Sequence, residues 1–300
     1  MNWCSSNELR RCRPLLGTFV EIAVESPIAR HSSLRSSRPD QVSAEEATIA
    51  AEAAISAAFA VIERLHQRFS AHDPASELSQ LNREATKRAV RVSPETFDVL
   101  RCAILLAEES EGAFDPTIAP ELADWGLLPA DLRRRNPGSW RDVILEPSCR
   151  VRFRRPLALD FGGIAKGYAV DSAIESLRAH GIRSALVNAG GDLRCIGRRR
   201  PRVHLRHPTT LQLLLRPVAL MHEAMATSSP CFTECARHGR RISHLVNRPA
   251  GGAVTGGVSA TVFASECWLA DALAKIVLIA PHLAELLLKK YQAEALIVSA

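Results

Sequence analysis

The sequence predicts an α+β fold in which helices flank mixed sheets. Strands and helices neither alternate strictly along the chain nor separate into blocks, which argues against a doubly wound parallel sheet. Residues 15–24 alternate apolar and polar side chains after Gly17, a pattern typical of a strand with one buried face. A long segment ending at residue 70 instead predicts an amphipathic helix. Its apolar side chains recur at helical spacing: Ile55, Phe59, Ile62, Leu65 and Phe69.

Cap and turn residues predict the other elements. Ser43 and Glu46 form a capping box that begins the long helix, and the polar residues 26–41 before it are interpreted as a flexible insertion. Ser93 followed by Pro94 begins a second helix, which Gly112 ends. A third helix runs from near residue 165 to residue 181. Further strands are expected at 157–160, 184–188, 211–216, 258–264 and 295–299, and further helices around 267–278 and 282–292.

Length and charge limit the classes of function. The 300 residues are 47% hydrophobic, enough to bury a full core, and we divide them into an N-terminal tail, 1–13, and one domain, 14–300. The net charge is +6, but aromatic residues make up only 5%, too few to interleave with the basic clusters as in a nucleic-acid reader. We therefore expect no nucleic-acid partner, and an anionic small substrate suits the charge equally well.

The N-terminus and the cysteines bear on location and metal binding. No apolar stretch of about 18 residues occurs, and the N-terminus lacks the apolar core of a signal peptide, so we expect a soluble, cytoplasmic protein without a membrane span. The eight cysteines are irregularly spaced and are interpreted as free thiols. Cys231, Cys235 and His238 suggest a zinc site, but a fourth ligand at suitable spacing is missing, so a variable loop is the favoured interpretation.

A glycine pair before a helix is the strongest chemical signal. In Leu159-Asp-Phe-Gly-Gly-Ile-Ala-Lys-Gly-Tyr-Ala-Val-Asp171, Gly162 and Gly163 allow close approach of the backbone. The first N–H groups of the following helix favour an anion such as phosphate, and Lys166 adds positive charge. A tight structural turn would give the same pattern, so the segment alone leaves both interpretations open.

Four weaker segments accompany it. Gly-Ala-Phe-Asp-Pro-Thr117, with Trp-Gly126 after it, places Asp115 at a rigid bend, although the carboxylate could simply cap the turn. Val-Asn-Ala-Gly-Gly-Asp192 is a second glycine pair with a carboxylate. The loop 243–252 contains His244, a possible acid or base but more often a structural residue. Asp271 and Lys275 share one helix face, as surface ion pairs do.

Taken together, these segments resemble the ApbE-type FAD:protein FMN transferases in their order and approximate spacing, from about residue 14 to the C-terminus. Leu-Gly-Thr18, Ser-Glu-Leu-Ser-Gln-Leu-Asn82 and Ala-Thr-Ser228 add to the match, and the Phe-Asp-Pro-Thr and Gly-Gly-Ile-Ala-Lys-Gly segments are its most specific parts. The resemblance implies binding of FAD and Mg²⁺. It also implies transfer of the FMN half to a Thr or Ser hydroxyl of an acceptor protein, with release of AMP.

The resemblance also implies roles for individual residues. Metal ligands would be the main-chain oxygen of Ala165 and the carboxylate of Asp271, an oxygen set that suits Mg²⁺. Catalytic residues would be His244, as a proton-handling or orienting group, and Asp160. The residues that would contact FAD are Leu16, Phe69, Ala113, Phe114, Asp115, Gly162, Lys166, Tyr168 and Leu245.

The chain departs from the family pattern at two places. Lys275 stands where the family usually has a Thr metal ligand, and an ammonium has no acceptor atom for a cation. The loop after His244 has Asn-Arg-Pro-Ala-Gly251 where Pro-x-Thr-Gly is more usual. Two alternatives therefore stand beside the transferase: a flavin-binding protein without turnover, and an enzyme that hydrolyses FAD to FMN and AMP.

Overall fold

The computed structural model describes residues 8–25, 44–197, 201–210, 212–220, 223–237 and 239–300. In chain order the strands are β1 (Glu8–Leu15), β2 (Thr18–Glu25), β3 (Val90–Arg91), β4 (Val143–Glu146), β5 (Arg150–Phe153), β6 (Ala185–Ala189), β7 (Asp192–Ile196), β8 (Arg202–Arg206), β9 (Leu214–Ala219), β10 (Ala224–Ser228), β11 (Cys235–Arg237), β12 (Arg240–Ile242), β13 (Val246–Asn247), β14 (Gly252–Ala253), β15 (Val258–Ala264) and β16 (Glu294–Ser299). The α-helices are α1 (Ala44–Phe69), α2 (Glu77–Glu84), α3 (Pro94–Glu109), α4 (Ala119–Asp124), α5 (Ala165–Ala179), α6 (Cys267–Ile279) and α7 (Pro281–Lys290).

The main sheet has seven strands in the order β1-β2-β6-β7-β10-β15-β16. Each neighbouring pair in it is antiparallel. A second sheet, β3-β5-β4, and three two-stranded ribbons complete the strands that the structure describes. Helices and antiparallel sheets in this irregular order confirm the predicted α+β class.

Both faces of the main sheet are covered. Helices α5 and α6 pack on one face, with α1 against α5, and form the larger core. The ribbon β8-β9 contributes Val203 and Leu205 to a smaller core on the other face. Strand β6 is buried at every position, because Val187 belongs to the first core and its neighbour Leu186 to the second.

The structure confirms the helix predicted from the long apolar stripe of α1. All five apolar residues predicted for α1 are buried, and each such burial stabilises the fold by roughly 1.5–3 kcal/mol. Ser93 caps α3 as predicted, with its hydroxyl accepting a hydrogen bond from the Thr96 N–H at 3.2 Å. The capping box at Ser43 and the insertion at 26–41 lie outside the described residues.

Within the predicted tail 1–13, residues 8–13 form most of β1, because an antiparallel hairpin pairs them with β2. Two strand expectations are wrong in detail. Residues 157–160 form no strand: the side-chain amide of Asn82 takes the place of a neighbouring strand. It donates to the Leu159 carbonyl at 3.0 Å and accepts from the Leu159 N–H at 2.7 Å. The strand expected at 211–216 begins only at Leu214.

No helix within the described ranges is both long and apolar enough to cross a membrane.

Candidate functional site

The start of α5 lies where α6 and the turn between β6 and β7 converge. Helices α5 and α6 come together closely at Gly167, where a Cβ atom would overlap the Cys267 carbonyl and lie 2.7 Å from the Trp268 Cα. Gly190, in the β6-β7 turn, has a φ of 67°, and a Cβ there would lie 3.0 Å from the Thr18 Cβ. Glycine at these two positions permits the close packing that assembles the site.

Four charged side chains from these three elements form one group, which we call the charged cluster: Lys166 of α5, Asp192 of β7, and Asp271 and Lys275 of α6. The two carboxylates are buried, whereas the Lys166 side chain is 35% exposed. The Lys166 ammonium pairs with the Asp192 carboxylate and lies 3.9 Å from Asp271 Oδ1. The Lys275 ammonium pairs with the same Oδ1, while Asp271 Oδ2 accepts the Gly167 N–H at 3.1 Å. Asp271 is 0% exposed and Asp192 is 2% exposed.

Burial and ion pairing oppose each other in the charged cluster. Burial alone raises the pKa of Asp271, but the ammonium groups of Lys166 and Lys275 outweigh this effect and hold its pKa below the ordinary value. Burial lowers the pKa of Lys166, and the carboxylates of Asp192 and Asp271 more than reverse that shift. Asp271 and Lys166 therefore carry their charges at neutral pH.

The glycine pair lies next to this cluster. The ring of Phe114 packs on Gly163, where an added Cβ would lie 2.8 Å from the ring and 3.5 Å from the Lys275 side chain. The Asp160 carboxylate accepts the Gly162 N–H at 3.1 Å, and burial raises the pKa of this carboxyl. The structure thus brings together three of the predicted site residues, Phe114, Asp160 and Gly162, at the edge of the charged cluster.

Asp115 is tied to the loop that contains His244. Its Oδ1 accepts the Thr117 N–H at 2.8 Å, and its Oδ2 accepts Arg248 Nη1 at 2.5 Å. Arg248 also donates to the Thr117 carbonyl at 2.7 Å and to the two carboxylate oxygens of Glu121 at 2.7 and 3.0 Å. Sequence reasoning did not single out Arg248, although it lies in the loop that departs from the family pattern. The Asp115 carboxylate is thereby engaged by protein groups.

His244 is exposed, whereas its neighbour Leu245 is buried at 7% exposure; Ala113, another predicted contact, is also buried, at 6%. Although the residue is exposed, the surrounding protein desolvates its ring in part and so lowers its pKa, and the charge of His72 adds to the shift. The charge of His72 also acts on Asp160. His72 follows α1 and has no signal in the sequence. Its charge acts on both predicted catalytic residues, His244 and Asp160.

Phe69, Tyr168 and Leu16 make contacts of other kinds. The Phe69 ring packs edge-on against Phe161 and Tyr168, with centroids 5.5 and 6.0 Å apart. Tyr168 follows Lys166 by two residues on α5, so the two side chains point to opposite sides of the helix. Leu16, with a φ of 56°, lies in the β1-β2 turn and packs partly on the larger core.

The cysteine motif is not a metal cluster where the structure describes it. The Cys231 thiol donates to the Gly256 carbonyl at 3.0 Å, Cys235 is exposed, and His238 lies outside the described residues. Within the described part of the chain no group of three potential metal-ligating residues was found.

The charged cluster does not fit a divalent cation. Both Asp271 oxygens already accept protein donors, and a cation beside them would face two ammonium groups. Two unit charges 4 Å apart repel by about 4 kcal/mol at an effective dielectric constant of about 20, and a divalent ion doubles that repulsion. The predicted Mg²⁺ ligands Ala165 and Asp271 are therefore part of a site that already contains a cation, the Lys275 ammonium.

Comparison with known proteins agrees with this fold and motif order. The sequence profile of the ApbE family matches residues 16–297. A FAD:protein FMN transferase of Rhodobacter capsulatus is 31% identical over 237 residues, 72% of this chain and 44% of that protein. One of Vibrio cholerae is 28% identical over 231 residues, 71% of this chain and 69% of that protein. The crystal structure of the ApbE protein from Thermotoga maritima superposes with a TM-score of 0.78 at 26% identity, covering 97% of this chain and 94% of that chain.

Proposed function

Because the chain belongs to the ApbE family, we propose that it transfers the FMN half of FAD to a Thr or Ser hydroxyl of an acceptor protein and releases AMP. The names of the relatives support this activity. The observation in the structure that carries the proposal is the position of the charged cluster beside the Gly162-Gly163 turn at the start of α5. An ammonium group and helix N–H groups at one place suit a pyrophosphate.

The reaction is a phosphoryl-type displacement. The acceptor hydroxyl oxygen forms a bond to the phosphorus of the FMN half, the bond from that phosphorus to the bridging oxygen breaks, and AMP leaves with the bridging oxygen. The hydroxyl proton passes to a base. We propose His244 for this role, because a lowered pKa keeps its ring neutral and able to accept a proton near neutral pH.

The other residues have binding or positioning roles in this proposal. Lys166 and the Gly162 turn hold the pyrophosphate, and Asp160 orients that turn through its bond to the Gly162 N–H. Ala113, Phe114 and Leu245 form the apolar side of the flavin site. Asp115, which Arg248 engages, fixes the backbone of that site. Phe69, Tyr168 and Leu16 stay predicted FAD contacts. The metal roles predicted for Ala165 and Asp271 do not enter this proposal, because both Asp271 oxygens are engaged by protein donors.

A second candidate, a flavin-binding protein without turnover, is favoured by one observation: the Lys275 ammonium pairs with Asp271 in the place of a metal ligand. AMP release from FAD separates the two. The protein is incubated with FAD, AMP is measured by chromatography, and acceptor proteins are examined for covalent flavin fluorescence on denaturing gels. AMP together with a flavin-labelled acceptor supports transfer. AMP with free FMN indicates hydrolysis, and FAD binding without AMP indicates the binding protein; either result would overturn the transfer proposal.

A further inference from the structure

The surroundings of Lys275 are those of a bound cation. Its Nζ pairs with Asp271 Oδ1, donates to the Asp271 main-chain oxygen at 2.9 Å and donates to the Ser228 hydroxyl at 3.3 Å. A carboxylate, a carbonyl and a hydroxyl oxygen are the ligand types that a hard divalent cation takes. Here they converge on an ammonium, whose three donors they satisfy.

The Lys275 side chain is mostly buried in this position. It is only 13% exposed, and it passes beside Gly163, where its Cδ would lie 3.5 Å from a Cβ. Lys166 and Asp192 complete the charged cluster, so two ammonium groups balance the two carboxylates in formal charge. The cluster reaches this neutral state without any added ion.

We infer that the Lys275 ammonium is a built-in cation, which replaces a divalent metal in holding the anionic part of FAD. This inference rests on the proposed function for the identity of the ligand. The bond to Ser228 is the longest of the three, and a phosphate oxygen would replace the Ser228 hydroxyl as acceptor. Because this cation is covalently part of α6, a chelator cannot remove it. FAD binding by this chain therefore does not require a divalent metal.

The test compares FAD affinity with and without metal, read from quenching of flavin fluorescence in excess EDTA or in millimolar Mg²⁺. The wild-type Kd is expected to change less than about twofold between the two conditions. Lys275→Met, which removes the charge, is expected to weaken FAD binding at least about tenfold in both, as loss of a buried charged partner does. Lys275→Thr restores a hydroxyl ligand and is expected to bind FAD well only with Mg²⁺. Lys87→Met, at an exposed lysine of the turn after α2, is the matched control and should behave as wild type.

Wild-type binding that EDTA abolishes and Mg²⁺ restores would overturn the inference, and this result needs no variant to fold. Thermal melting of each variant checks that weaker binding is not loss of structure. AMP measured in the same samples keeps the two proposals apart. Metal-independent binding without AMP supports the built-in cation and overturns transfer. Metal-dependent binding with AMP supports transfer and overturns the built-in cation. Absence of FAD binding in every condition overturns both proposals.

Discussion

Replacing Arg248 by Met is expected to destabilise the protein by about 3 kcal/mol, the lower end of the range for breaking a buried ion pair. The expected loss of about 3 kcal/mol follows from the contacts that Asp115 keeps in the variant. Asp115 is 7% exposed and would keep its two bonds from Thr117 but lose the Arg248 charge. The Arg248 side chain is 25% exposed and Glu121 is 28% exposed, so solvent compensates part of the loss.

The dependence of this loss on pH has a definite sign. Burial raises the pKa of Asp115, and Arg248 opposes that rise. Without Arg248 the folded-state pKa of Asp115 moves further above its unfolded value of about 3.9. Such a group stabilises the fold below its unfolded pKa, and this contribution is lost as the pH rises through the folded pKa. The variant should therefore lose more stability at neutral pH than near pH 4.

The assay is urea unfolding at several pH values, followed by circular dichroism. Arg88→Met is the matched control: Arg88 pairs with Glu84 at the surface, where an ion pair contributes about 0–1 kcal/mol. An Arg248→Met loss equal to that of the control, or one that does not shrink towards pH 4, would refute the reasoning.

Three further outcomes are expected. Gly167→Ala should lower the melting temperature strongly, because the new Cβ overlaps the Cys267 carbonyl. Gly252→Ala is the control and should not lower it, because its Cβ meets no atom within 4 Å. Equal melting temperatures would show that helices α5 and α6 can separate. Asn82→Leu should cost about 2 kcal/mol in urea unfolding by removing two buried hydrogen bonds, and it should weaken FAD binding by loosening the chain before the glycine pair. The rate of AMP release should fall on acidification, with a midpoint below the ordinary histidine pKa of about 6.5. His244→Gln should abolish this acidic fall in rate. An unchanged pH dependence in the variant would exclude His244 as the base.

The elements that could be predicted are those specified by local pattern. Helices α1 and α5 and strand β15 have long periodic stripes or clear glycine stops, and the structure reproduces them. The segment 157–160 resembled a strand because it is apolar and buried, but apolar burial does not reveal that a side-chain amide from 77 positions away satisfies its backbone. The pattern of apolar and polar residues cannot identify a side chain that bonds the backbone from so far away in the sequence.

The chemistry could be predicted only where residues are close in sequence. Asp271 and Lys275 are one helix turn apart, so the sequence predicts an ion pair, but a surface one, whereas Asp271 is 0% exposed. The third oxygen, from Ser228, depends on how β10 lies against α6. The pair of Arg248 and Asp115 spans 133 positions and has no local signal. The sequence shows Lys275 in place of the usual Thr. It does not show that three oxygens surround the Lys275 ammonium.

The charged cluster draws its members from α5, β7 and α6, so no single element contains the complete cluster. Under the proposed function, FAD binding at this cluster is thermodynamically linked to global folding, because a ligand that recognises only the assembled core shifts the whole unfolding equilibrium. At a free ligand concentration of 100 times Kd the added stability is about 2.7 kcal/mol. In a cell whose FAD supply fluctuates, the abundance of this protein would follow the supply, because unliganded chains unfold and are degraded more often.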